Sequence, residues 1–221
     1  MESEKILEDE FKKFKKSFFV ITKNFLLTIS FFLGIYCIFF KNKRDLYLGI
    51  SLTLLAPLAI NAPIFIYRRI SWIREKYSVR ILKLWIGISL LFLILSTSGA
   101  IYLWYIPIEF DLYVHFIENF LASFLIVFFI SIYREKKKGY HFSAKKAGWL
   151  IFWCSLGIAI LWELYQFTCD KIFGTRTWYD PFQWILWDTI SDALLGIAGG
   201  TVGAFLVGKF FWDKILNYFK R

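Results

Sequence analysis

Eight of the twelve acidic residues beyond the N-terminal tail fall in a few places: Glu109, Asp111, Glu118, Glu163, Asp170, Asp180, Asp188 and Asp192. Their spacing is helical. Asp111 and His115 stand four apart and Glu118 three further on, so the three share one helix face. Glu163, Gln166 and Asp170 follow i, i+3, i+7 on a second segment, and Asp188 and Asp192 are i, i+4 on a third. Carboxylates with one histidine suit a hard or borderline divalent ion. The expected ligands are His115, Glu118, Glu163 and Asp192. Without an ion, acids gathered at one level cannot all ionise, and they share protons. Carboxylates so placed also serve as general bases near neutral pH. In an enzyme, Glu163 or Asp192 would be the base and His115 a proton carrier or metal ligand. Plainer readings compete. Asp111, Asp170, Asp180 and Asp188 also fit interfacial or loop positions, and Asp188 fits a helix cap. His115 fits a lone interfacial histidine, and His141, in a basic loop, reads as solvent-exposed.

Familiar catalytic patterns are missing. There is no His-Glu-x2-His, no Gly-x-Ser-x-Gly and no phosphate-binding P-loop. Asp188-x3-Asp192 matches the tail of the CDP-alcohol phosphotransferase motif, but the Asp-x2-Asp-Gly part before it is missing. The Arg-Pro and Ser-Gly-His elements of vanadium-peroxidase-type lipid phosphatases are missing as well.

The elements that carry these residues are long apolar runs. A spanning helix needs about 20 mostly apolar residues. Six stretches qualify: 18–40, 46–67, 83–106, 112–133, 147–169 and 188–211. On these spans Glu118, Glu163 and Asp192 lie at similar depth, about 6–9 Å below one edge at 1.5 Å per residue. Three helices thus bring carboxylates to one layer, as a pocket open to one side. Asp111, Gln166, Asp170, Asp188 and Arg176 are expected around it, Arg176 as partner for the acids or for an anionic ligand. The aromatic loop 171–187 reads as an interfacial belt or a cap over the pocket. Gly196, Gly199, Gly200 and Gly203 in the last span predict close helix packing that would hold Asp188 and Asp192 against a neighbour. Lys23 interrupts the first span near its end, where its stem can reach the headgroups. Pro57 and Pro63 predict a kink in the second.

Composition agrees with this architecture. The chain has 221 residues, 58% hydrophobic and 22% aromatic, above the roughly 45–50% apolar share of soluble domains. The net charge of +10 sits in islands between apolar runs, which marks topology and anionic lipid contact rather than nucleic acid. With the N-terminus inside, inner segments carry twenty Lys and Arg, counting Lys209 with the C-terminal ones, against five outside. That bias predicts both termini in the cytoplasm and the acidic pocket outside. Cys37, Cys154 and Cys169 show no paired spacing and read as core thiols. Leu7, Phe11, Phe14 and Phe18 form one stripe beside lysines, predicting a surface helix at 1–17. The expected organisation is that helix, one all-α transmembrane domain at 18–211 and a basic cytoplasmic tail at 212–221.

Three motifs add a resemblance: Asp111-x3-His115, Trp162-Glu163-x2-Gln166-x3-Asp170 and Trp187-Asp188-x3-Asp192-x3-Gly196. Together they resemble the YjdF-like family of small membrane proteins and, more loosely, the VanZ-like proteins associated with glycopeptide resistance. The likeness covers roughly residues 111–203. It implies an Asp/His pair on one span, a Glu late in the next and an Asp-rich, Gly-containing last span, and it leaves the reaction open. Two functions follow as expectations. One is a multi-pass cell-membrane protein of the envelope whose outward acidic pocket binds a cation or polar head group. The other is a membrane enzyme acting on a lipid or envelope precursor. The bilayer is the expected partner, and a divalent metal the expected cofactor if there is one.

Overall fold

The computed structural model describes residues 2–40, 50–101, 110–173 and 185–220. Helix accounts for 93% of the structure, and among the described residues there is no strand, only an isolated bridge between Tyr77 and Lys220. The helices are α1 (Glu2–Lys15), α2 (Phe18–Phe40), α3 (Ala56–Arg69), α4 (Ser71–Lys76), α5 (Arg80–Ile101), α6 (Phe110–Lys138), α7 (Ala144–Phe173), α8 (Ile185–Leu206) and α9 (Trp212–Phe219). Wider π turns at Ser51–Leu55 and Val207–Phe211 lead into α3 and out of α8.

By length and composition, four helical stretches among the described residues can cross a membrane: Phe18–Phe39, Tyr113–Lys138, Ala144–Ile172 and Leu186–Phe219. They correspond to the first, fourth, fifth and sixth expected spans. The second expected span is divided between the π turn Ser51–Leu55 and the 14-residue α3. The third corresponds to α5, 22 residues long.

The chain forms two compact units, Met1–Thr97 with Asn217–Arg221, and Ser98–Leu216. In the first, α1 ends at Lys15, so Phe18 leaves the expected stripe. It opens α2 with 81% of its surface exposed, while Phe14 is buried. Lys23 does not reach out of its helix as expected. It is 4% exposed and donates from Nζ to Asn61 Oδ1 at 2.7 Å. Asn61 in turn donates from Nδ2 to the Pro57 carbonyl at 2.8 Å. A buried ammonium needs an acceptor more than a long stem needs the headgroups.

In the second unit α8 packs against both α6 and α7. Burial is inverted relative to a soluble protein. Ser123, Ser131 and Ser155 are wholly buried between helices, while Trp149, Trp153, Leu161, Leu164 and Leu194 lie exposed. Apolar side chains facing outward and small polar ones facing inward is what a lipid surroundings rewards. The glycines of α8 set the closeness. A Cβ on Gly196 would meet the Asn119 amide, one on Gly199 the Phe116 carbonyl oxygen, one on Gly200 the Ser155 side chain and one on Gly203 the Phe120 ring. Glycines one or two turns apart thus let α8 approach both neighbours. The stretch expected as a basic tail is helical as far as Phe219. In it Trp212 and Leu216 are buried, and Trp212 Nε1 donates to the Phe142 carbonyl at 2.8 Å.

Candidate metal centre

α6 and α7 are joined by the short turn 139–143, in which Gly139 takes φ +79°. That left-handed residue ends α6 as glycine readily does. The short turn makes the two helices antiparallel neighbours, so the start of α6 lies level with the end of α7. Residues 115 and 163 meet in that layer, and 192 enters it from the start of α8.

The structure brings His115, Glu163 and Asp192 together. One ligand atom from each lies within 4.8 Å of the others. His115 and Asp192 are 8% and 5% exposed. Glu163 is half-buried as a whole residue, although it counts among the buried groups of the triad. His115 Nε2 stands 3.4 Å from Asp192 Oδ2. That is long for a charge-assisted hydrogen bond, which runs about 2.7–2.9 Å. It equals the spacing of two donors on one tetrahedral ion, about 3.4 Å for ligand bonds near 2.1 Å. One imidazole and two carboxylates form a mixed nitrogen–oxygen donor set, suited to ions of the zinc, manganese or ferrous class and less to calcium or magnesium.

The other expected site residues divide. Glu118, three positions beyond His115, is half-buried and outside the group of three. Gln166 and Asp170 are half-buried further along α7. Asp188 is 7% exposed and sits in the first turn of α8. Its backbone oxygen accepts the Ser191 hydroxyl at 2.8 Å. Beside it, the buried hydroxyl of Thr189 makes no hydrogen bond. Asp111 lies in the first turn of α6, but its side chain is outside the described set, and Glu109, Arg176 and Asp180 lie outside the described residues. His141 is partly exposed, 3.7 Å from Asp213.

A polar layer under the triad was not among the expected site residues. Asn119 is one turn beyond His115 and Gly196 one turn beyond Asp192. Ser155 Oγ donates to the Gly196 carbonyl at 2.9 Å and approaches Asn119 Oδ1 at 3.4 Å, so all three helices meet there. Ser123 Oγ donates to the Asn119 carbonyl at 2.7 Å. Asn119 and Ser155 are 5% and 0% exposed. Such a layer fixes the rotation of each helix and thereby the aim of the triad. Asn119 was readable as the residue four beyond His115. Ser155 carried no such signal, since serine in an apolar helix is common packing.

The model of a family described as "Predicted membrane protein (DUF2238)" matches residues 20–213. No curated protein and no solved structure matches the chain.

Proposed function

The chain belongs to the DUF2238 family of predicted membrane proteins, the YjdF-like family, and from that premise we propose that it binds a divalent cation in the cell membrane through His115, Glu163 and Asp192. The observation that carries the reading is the convergence of one donor atom from each of three apolar helices within 4.8 Å. Ionisable groups inside spanning helices are expensive, and a cation compensates two carboxylates at once. The protein crosses the bilayer six times with both termini in the cytoplasm, as the charge bias supports. The site then faces the outer surface, with Asp188, Gln166 and Asp170 toward its mouth and Glu118 on the inner side of His115. The looser likeness to VanZ-like proteins supports an envelope role.

One feature favours a second reading. Three protein donors leave a coordination position for water or substrate, as catalytic sites do. On that reading the protein is a membrane enzyme acting on a lipid or envelope precursor. Accumulation of such a precursor in a deletion strain would support it.

Elemental analysis of the purified full-length protein tests the cation itself. One borderline divalent ion per chain is expected, retained through desalting and removed by chelator. Protein that stays metal-free after incubation with zinc and manganese rules the reading out. Orientation has its own test, in a background with Cys37, Cys154 and Cys169 replaced. Gly174→Cys should react with an impermeant thiol reagent added outside intact cells, and Lys137→Cys should not. The opposite pattern would place the site on the cytoplasmic side.

A further inference from the structure

The first unit holds a cavity of about 240 Å³ between the end of α1 and the start of α5. This is below the roughly 300–1,000 Å³ of a drug-sized site, so it takes a small group. Lys13, Arg80 and Lys83 line it, with Glu10, Ser17 and Ser78. Three cations against one carboxylate leave an excess of two positive charges. Arg80 is held in place by stacking over Tyr218 at 5.0 Å.

The hydrogen bonds around the cavity are donor-rich. Ser78 Oγ is buried and makes no hydrogen bond. The turn into α5 uses the amides of Ile81 and Leu82, which donate to the carbonyls of Ser78 and Val79 at 3.1 Å each. It leaves the amides of Val79 and Arg80 without a backbone acceptor among the described residues. Free amides at the start of a 22-residue helix favour an anion, and phosphate most of all. Buried Phe14 supplies an apolar wall, and α2 starts four residues later with exposed Phe18.

We propose that this cavity binds a phosphate group, that of an anionic lipid headgroup, through Lys13, Arg80, Lys83 and Ser78. The phosphate oxygens take the Ser78 hydroxyl and the Val79 and Arg80 amides. The lysines close over it, and the glycerol end leaves past Phe14 toward the bilayer. With the termini in the cytoplasm, the cavity faces the inner leaflet, whose lipids supply the negative charge. The site does not depend on the cation reading above, because it lies in the other unit.

The test is the thermal shift of the full-length protein in zwitterionic detergent, titrated with phosphatidylglycerol, phosphatidylcholine or sodium phosphate. Phosphatidylglycerol should raise the melting temperature saturably, and phosphatidylcholine should not. The double variant Lys13→Gln/Lys83→Gln should raise the half-saturating concentration roughly 30-fold, the product of two charge contacts. Ser78→Ala should raise it several-fold. The control Lys136→Gln/Lys137→Gln removes the same charge elsewhere and should change nothing. An equal shift with phosphatidylcholine, or equal weakening in the control, overturns the proposal. If sodium phosphate at matched ionic strength reproduces the shift and the Lys13/Lys83 pair abolishes it, the phosphate site stands and a soluble phosphate compound replaces the lipid.

Discussion

Glu163→Gln should lose the bound ion, weakening its affinity by about 100-fold or more. Groups that only orient a ligand cost 10–100-fold when removed, and the role proposed for Glu163 is that of a ligand itself. The amide keeps the shape of the carboxylate and removes its charge, so the helices need not move. His115→Ala and Asp192→Asn should lose the ion likewise. Glu118 was expected among the ligands from its spacing. It lies outside the group of three, so Glu118→Gln should keep the ion. Linkage gives an independent readout. An ion at 100 times its dissociation constant stabilises the folded protein by about 2.7 kcal/mol. Wild-type protein should therefore melt higher with metal than with chelator, and Glu163→Gln should lose most of that difference. A metal-dependent shift of wild-type size in Glu163→Gln would sink the assignment.

Gly199→Ala should be among the most destabilising single-methyl changes in the chain. The new Cβ would collide with the Phe116 carbonyl oxygen, which is backbone and cannot rotate away. Relief requires α8 to move off α6, at a cost of about 1–3 kcal/mol as for other overpacked sites. Asp192 lies two turns away on α8, so the displacement should also weaken the ion. Gly157→Ala gives the contrast. Its Cβ would meet nothing within 4 Å, and alanine favours helix by up to about 1 kcal/mol. That variant should melt at or above wild type. If the two substitutions prove alike in melting temperature, the close approach of α8 to α6 is not as described.

Much of this protein was readable in its sequence because the bilayer restricts the options. Length and hydropathy placed α2, α6, α7 and α8 within a few residues, since a segment in lipid must satisfy its backbone internally. Boundaries moved where polar residues continue a helix beyond the apolar run, as α7 does from Ala144 to Phe173. The spacing of Asp111, His115 and Glu118 showed which residues share a face, because helical periodicity is local.

Membrane class, apolar helices and the set of ionisable residues able to meet were all legible in the chain. Which of them meet was decided only in the folded structure. His115 reaches Asp192 across 77 positions of chain, and Glu118, on the same helix, does not join the group. The difference is rotation. A face is known from spacing, but the neighbour it is turned toward depends on the Gly196, Gly199, Gly200 and Gly203 contacts and on the Ser155 and Asn119 layer. Lys23 shows the same limit. Its length suggested an escape to the headgroups, and Asn61, 38 residues away, gave it an acceptor inside. Periodicity carries no information about a partner on another helix, so such pairings belong to tertiary packing alone.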